Sequence, residues 1–394
     1  MNSERPLVSV VIPAYNAEQF IERTLISVLD QTYCHLEIIV VDDGSCDRTP
    51  DIVRSLMNQD RRIALFQQPN QGVAAARNLA IQKANGTFIA PLDADDIWYP
   101  NNIEKQLRTI QNAGPKIGVT YAWSFDIDHH DHRLEGFRAA NISGNVYLTL
   151  IGHNFLGNAS ASLIRRECFD IVGGYDNSFK AQNAGGCEDW DLYLRIAEKF
   201  HFTAVPEFLI GYRRTLDSMS SSNSLTMGAS HNLMLKKVQQ THPSISNYLF
   251  RLSKSSFYLY LSQQSRNYQD YQMSLHWLGK SLQENLLVSL CRFGVYTLII
   301  QNLIGSLLVS SPQKVTGTQK ISNISINSHS FQWRLKFKLF ISQVFHISRI
   351  CFVQRKVLMF HWVKPVIVMK DYVTLKLSNQ FQRSKSQLLM YFSR

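Results

Sequence analysis

The chain has 394 residues, 45% hydrophobic and 18% charged. That is the make-up of a folded protein with room for a large α/β unit and a smaller second one, and it excludes wholesale disorder. The net charge of +11 is uneven. Residues 1–235 carry 20 Lys/Arg and 27 Asp/Glu, a balance of −7, and residues 236–394 carry 21 and 3, a balance of +18. A front half rich in carboxylates suits a site built from them, and a basic tail suits an anionic membrane surface. No RNA- or DNA-binding motif is present, so nucleic acid ranks below membrane as the partner of that tail. The six cysteines are scattered without a CxxC pair, which argues against a zinc site or a disulfide framework and fits a reducing compartment. The N-terminal apolar run ends at Pro13 without a basic start and reads as a strand, not a signal peptide. The expected location is cytoplasmic, peripheral at the inner face of the plasma membrane.

In chain order, Val8–Ile12 is a short β-branched run and 18–29 has helical periodicity. Leu36–Val41 is a second β-rich run that closes on Asp42 and Asp43. Residues 49–57 read as helix, 63–66 as strand, 72–83 as an Ala-rich helix, and 87–92 as a strand running into Asp93. Short apolar strands alternating with amphipathic helices predict a mainly parallel sheet flanked by helices. From Val119 to Arg214 the pattern is mixed α/β, with a helix expected over 188–200. Residues 218–230 read as a Ser-rich linker and 231–310 as a helical region, within which 258–285 has the spacing of a helical hairpin. Leu286–Val309 is the most apolar stretch, interrupted by Arg292, Gln301 and Asn302. A packed helix, an interfacial segment and a membrane span stay open for it, in that order. Residues 311–394 form a basic apolar tail, in which 331–360 mixes aromatics with Arg and Lys as an interfacial segment would.

In a parallel sheet, ligands bind beyond the carboxyl ends of the strands. The loop after the first strand, Pro13-Ala14-Tyr15-Asn16, lacks the glycines of a dinucleotide fingerprint, which excludes a nicotinamide-binding domain. Asp93 and Asp95 alternate along an extended turn, giving hard oxygen ligands on one side for Mg²⁺ or Mn²⁺ facing a diphosphate. A solvated acidic loop is the bland alternative. Asp42 and Asp43 offer acceptors to a base or ribose, Tyr15 a stacking face beside Pro13, with a turn or cap role as the competitor. Arg77 either points at phosphates or locks the acidic loop, the second being favoured. Glu188 and Asp189 open a helix after Gly185-Gly186. They serve either its dipole or as a general base, with Asp191 a nearby competitor.

VSVVIPAYN, IIVVDDGS, QPNQGVAAARN, PLDADD, GGYDNSF and EDWDLYLR together resemble the family 2 glycosyltransferases, over roughly Pro6 to Arg214. The resemblance implies a GT-A, Rossmann-like fold over residues 1–217 and an inverting, metal-dependent transfer of a hexose-type sugar from a nucleotide-diphosphate donor, most often a UDP-sugar. The acceptor would be a glycan or glycolipid hydroxyl in cell-surface polysaccharide or glycolipid synthesis. It also implies that Asp42 and Asp43 lie near the nucleobase and ribose, that Asp93 and Asp95 are the DxD pair with Asp95 favoured as the direct metal ligand, and that Asp189 is the catalytic base. Arg213 and Arg214 match, loosely, a segment near the donor phosphates. No QxxRW motif of processive synthases occurs. Acceptor choice is expected in 123–158 and the helical region. The competing expectations are a GT-A-like nucleotidyltransferase, whose Gly-rich basic first loop is missing, and a catalytically silent glycan-binding module.

Overall fold

The structure is a computed structural model that describes residues 5–214, 224–290 and 292–308; the interfacial segment expected over 331–360 and the rest of the tail lie outside them. One nine-stranded sheet organises the front of the chain, in the order β3-β2-β1-β4-β8-β6-β9-β5 with β7 paired to β6. The strands are β1 (Val8–Ala14), β2 (Leu36–Asp42), β3 (Ile63–Gln67), β4 (Phe88–Pro91), β5 (Ile97–Trp98), β6 (Ile117–Ile127), β7 (Arg133–Arg138), β8 (Ser162–Arg165) and β9 (His201–Arg213). The long ladders, β1 with β2 and β6 with β9, are parallel. The antiparallel ladders that β8 makes with β4 and β6 are short.

All seven residues of β1 are buried. Val10 and Ile12 enter one apolar cluster while Val11 enters the other, the period-two alternation of a strand covered on both faces. One face is covered by α1 (Ile21–Leu29), α2 (Thr49–Met57) and α4 (Asn102–Asn112), the other by α3 (Val73–Lys83), α5 (Tyr147–Gly152), α6 (Arg166–Val172), α7 (Ser178–Ala181) and α8 (Glu188–Ala197). Helix α1 buries Ile21, Thr24, Leu25 and Val28, the i, i+3, i+4, i+7 stripe that faces a core. Pro50 opens α2, where the missing N–H would have no intrahelical partner anyway.

Behind the sheet come α9 (Ser224–Thr241), α10 (Asn247–Asn267) and α11 (Tyr271–Glu284), then α12 (Leu286–Leu290) and α13 (Phe293–Leu308). Residues 224–230 are thus the first turns of α9 and not the end of a linker; Met227, Gly228 and Ser230 are buried there. The expected helical hairpin is α10–α11. Its turn has Gln269 at φ 61, and the Asp270 carboxylate accepts from Met273 N–H at 2.9 Å. Hydroxyls sit between these helices: Ser255 meets Ser281 at 3.1 Å and Ser262 meets Ser274 at 3.1 Å. Small side chains there allow close approach, and each hydroxyl finds a partner.

The apolar stretch from Leu286 is two helices. The break falls at Arg292, whose guanidinium donates to Ser256 Oγ at 2.9 Å. Among the described residues no helix is long and apolar enough to cross a membrane. Met234, Leu235, Val238 and Phe250 of α9 and α10 belong to the same apolar cluster as α8 and the sheet. The described residues form one compact unit.

Candidate active site

β8 is antiparallel to both β4 and β6, so β4 and β6 run the same way as β1, β2, β3 and β9. These six strands deliver their carboxyl ends to one rim. Along it come Asp42–Asp43 after β2, Tyr15 after β1, Asp93–Asp96 after β4, Asp126–Asp128 at the end of β6 and Arg213–Arg214 at the end of β9.

Asp42 accepts from Ser45 N–H at 3.1 Å and from the Gln67 amide at 2.9 Å. Asp43 accepts from the Gln68 amide and from the Gln71 and Gly72 N–H groups at 2.7–2.8 Å. Asp43 therefore braces the loop that leads into α3. Gly72 sits at φ 93, a backbone conformation that requires glycine. Asn16, at φ 49, is held by its side-chain oxygen, which accepts from Cys46 N–H at 2.9 Å. It leaves the neighbouring Tyr15 52% exposed, a ring open for stacking, while Pro13 is buried in β1.

Arg77, on the inner face of α3, is buried and its guanidinium donates to the Asp93 carboxylate. The same group lies 5.1 Å from the Tyr175 ring centroid. Burial works against the Arg77 charge, but Asp93, then Tyr175 and Asp189, hold it more firmly protonated than usual. Arg77 thus sits in the fields of two carboxylates from opposite ends of the fold, one after β4 and one at the start of α8. Burial pushes the Asp189 carboxyl up to about 6, against the pull of Arg77. Its Oδ1 accepts from Trp190 N–H at 2.8 Å. The neighbours are differently employed: Glu188 accepts from Gly186 N–H at 2.8 Å, and Asp191 pairs with Arg195 at 2.9 Å. Of the three acids that open α8, Asp189 is the one coupled to the acidic loop.

Burial, then the charge of Asp93, pushes the Asp95 carboxyl up to about 7. Asp96 is buried, donating neighbours being the Ser160 hydroxyl at 2.5 Å and the Arg213 backbone N–H at 2.8 Å. A run of carboxylates that repel one another, with one arginine on Asp93, is short of positive charge, and a divalent cation fits that shortage. Among the described residues no three His, Cys, Asp or Glu side chains surround one point. The fit is to a cation held by the Asp93–Asp95 pair and completed by ligand oxygens.

Arg213 is 1% exposed. It donates to the carbonyl oxygens of Asp95 and Asp128, each at 2.5 Å, and to the Asp131 carboxylate, with Phe20 stacked beneath it at 4.7 Å. In this arrangement it faces its own chain and not a ligand phosphate: it clamps the acidic loop to the β6–β7 turn. Arg214 pairs with Asp126 at 3.3 Å. Asp126, Asp128, Asp131, Ser160 and Tyr175 join the site without having stood out in the sequence. The rule that found Asp42, acids directly after a β-rich run, applies equally to YAWSFDIDHH, where Asp126 and Asp128 close β6.

Residues 9–170 match the profile described as Glycosyl transferase family 2. The chain carries a family 2 glycosyltransferase domain. An uncharacterized glycosyltransferase of Haemophilus influenzae is 44% identical over 171 residues, 42% of this chain and 65% of that protein. A putative teichuronic acid biosynthesis glycosyltransferase, TuaG of Bacillus subtilis, is 47% identical over 108 residues, 27% of this chain and 43% of that one. Chondroitin synthase of Pasteurella multocida is 28% identical over 62% of this chain and 24% of that one. The chain thus spans less than two thirds of these relatives. Among solved structures, S. aureus TarS 1-349 in complex with UDP-GlcNAc aligns over 70% of this chain and 88% of that one, at 15% identity and a TM-score of 0.46. The matched region contains Arg77 and the acidic loop, and Asp189 of α8, beyond its end at residue 170, acts on the same arginine electrostatically.

Proposed function

We propose that this chain transfers a sugar, with inversion, from a nucleotide-diphosphate donor to an acceptor hydroxyl, in the synthesis of a cell-surface polysaccharide or glycolipid. The observation that carries the reading is Arg77, ion-paired to Asp93 and within the electrostatic field of Asp189, which brings a diphosphate-facing carboxylate and a candidate base into one neighbourhood. The named activities of the relatives, teichuronic acid biosynthesis and chondroitin synthesis, support the polysaccharide assignment.

In this reading the base and ribose lie along Tyr15 and Asp42, with Asp43 holding the loop beneath them. Asp93 and Asp95 hold Mg²⁺ or Mn²⁺ against the diphosphate. The bound cation would neutralise charge on the departing nucleoside diphosphate, a contribution of several kcal/mol in order of magnitude. Asp189 takes the proton from the acceptor hydroxyl as its oxygen bonds to the anomeric carbon and the bond to the diphosphate oxygen breaks. A carboxyl near 6 is mostly ionised at neutral pH yet more basic than an ordinary aspartate, which suits a general base. A UDP-sugar is the donor this reading favours. The domain division into 1–217, a helical region to 310 and a basic tail from 311 belongs to the same reading, as does peripheral attachment of the tail to anionic lipid.

The test is sugar-nucleotide turnover with Mn²⁺, for wild type, Asp95→Ala and Asp189→Ala. Both variants should lose most of it, and equal turnover in all three would remove the proposed roles.

A further inference from the structure

Beyond the acidic loop, on the side away from Asp42, a second charged cluster lines the same rim. Asp126 at the end of β6 is paired on one oxygen with Arg138 of β7 at 2.6 Å and on the other with Arg214 at 3.3 Å. Both guanidinium groups lie over the Tyr212 ring, 4.5 and 5.6 Å from its centroid. Among the described residues one carboxylate, Asp126, serves these two cations. Neither arginine is fully solvated, their side chains being 23% and 22% exposed.

The arrangement is built. Gly157, at φ 85, lies under Arg138, and a Cβ there would stand 2.1 Å from Arg138 Cδ. Only glycine lets that side chain lie across the loop. The next residue, Asn158, donates to Ser124 Oγ at 3.1 Å, and Ser124 is the cross-strand partner of Arg138. The Asn158 side-chain oxygen is buried with no hydrogen-bond partner, a cost unless a ligand or water satisfies it. Among the described residues Arg138 donates a single side-chain hydrogen bond, to Asp126, leaving most of its N–H groups for another acceptor.

We propose that Arg138 and Arg214, spread over Tyr212 and sharing Asp126, form a subsite for an anionic group, a carboxylate or phosphate, carried on a saccharide substrate. The proposal rests on the transferase reading and names a substrate class for it. The order of the sheet separates this subsite from the donor diphosphate. Nucleotide-side acids follow β2, the cation-side acids follow β4, and Asp126 and Arg214 close β6 and β9. A donor laid along that rim runs from base to diphosphate to transferred sugar, and the acceptor lies beyond. Arginine forks bind carboxylate and phosphate in a two-pronged way that a neutral hydroxyl does not match. Tyr260 of α10 lies near Arg214 and helps hold its charge, so the helical region reaches this end of the site.

The experiment is binding by titration calorimetry with Mn²⁺, using the full chain. The acceptor arm compares disaccharides ending in glucuronate, in a sugar phosphate and in glucose. The donor arm compares UDP-glucuronate with UDP-glucose. A preference of about tenfold or more for a charged sugar in either arm is expected, and the arm that shows it tells which substrate carries the anion. Arg138→Gln should erase that preference while UDP affinity stays within about twofold; Arg214→Gln, checked for folding by circular dichroism, should do the same. Equal binding of charged and neutral sugars in both arms, or a loss in Arg138→Gln that falls equally on UDP, would overturn the subsite. Failure of both UDP and GDP to bind would instead sink the transferase reading.

Discussion

The Arg213 guanidinium donates through Nε to the carbonyl oxygen of Asp95 at 2.5 Å. A buried arginine from the last strand therefore sets the position of the acidic loop after β4, and its remaining donors fix the β6–β7 turn through Asp128 and Asp131.

Arg213→Leu should leave the Asp95 and Asp128 carbonyl groups without this donor and Asp131 with Arg23 as its remaining partner. Leaving polar groups unsatisfied costs roughly 1–3 kcal/mol, and a shift of about 1 Å in the loop costs on the order of 10²-fold in rate. Urea midpoints and kcat measured together check both. Arg213→Lys keeps the charge but not the fork, so it should recover stability only in part.

The base predicts a pH dependence with a definite sign. In the proposed role Asp189 must be ionised to accept a proton and its carboxyl lies at about 6, so at saturating metal, which keeps Asp95 ionised, kcat/KM should be flat above that value and fall tenfold per unit below it. Asp189→Asn should lose about 10²–10⁴ in rate while nucleotide affinity is kept. An acid limb unchanged in Asp189→Asn would remove the assignment.

His231, stacked 4.2 Å from Phe257 and 4.9 Å from Trp190, is held neutral by burial, its pKa lowered to about 3. The unfolded chain takes up a proton at this histidine below about 6.5 and the folded one does not. Stability is therefore fully present above about 6.5 and is lost as pH falls from there towards 3. The loss at pH 4 should be roughly 3 kcal/mol. Urea midpoints across pH should show it, and the slope should flatten in His231→Leu.

Two glycines in the helical region should respond oppositely to alanine. A Cβ on Gly228 would stand 2.3 Å from the Trp277 ring, itself 2% exposed and unable to swing away. Gly228→Ala should cost about 1–3 kcal/mol. At Gly279, within α11, an added Cβ would meet nothing within 4 Å; Gly279→Ala should gain about 0.5–1 kcal/mol from helix propensity. Thermal denaturation of both variants decides the matter.

The surplus of +18 over residues 236–394 predicts salt-sensitive association with lipid. The full chain should sediment with phosphatidylglycerol vesicles at low salt and be released as the Debye length shrinks at about 1 M salt. Absence of sedimentation at low salt would remove the membrane role.

The first half of the sheet was legible because β1 and β4 are wholly buried and β2 nearly so, reading as short apolar runs, and because β2 and β4 close on acids. β6 to β9 were not resolved individually. β7 is an exposed ribbon, RLEGFR, without an apolar face, and β8 is four residues long. The roles of Arg213 and Asp43 could not be read either. Which partner a buried arginine or aspartate takes depends on residues 82 and 28 positions away, and local pattern is silent about such distances. Serines before α9 suggested a loop, yet from Ser224 onward they are helical, where Ser224 itself accepts from the Trp277 indole at 3.0 Å. Tertiary partners overrode composition there.

Trp190 follows Asp189 directly, and it leans on His231 and Phe257 while its indole donates to the Leu150 carbonyl at 2.7 Å. The floor under Asp189 is thus furnished by α9 and α10. A fragment cut where the profile match ends, at residue 170, would lack α8 altogether, and one cut after β9 would leave bare the surface that Met234, Leu235 and Val238 cover. The smallest piece able to stand alone with its chemistry intact is accordingly longer than its kinship suggests, and any remodelling of the rear helices should be felt at the base one residue away.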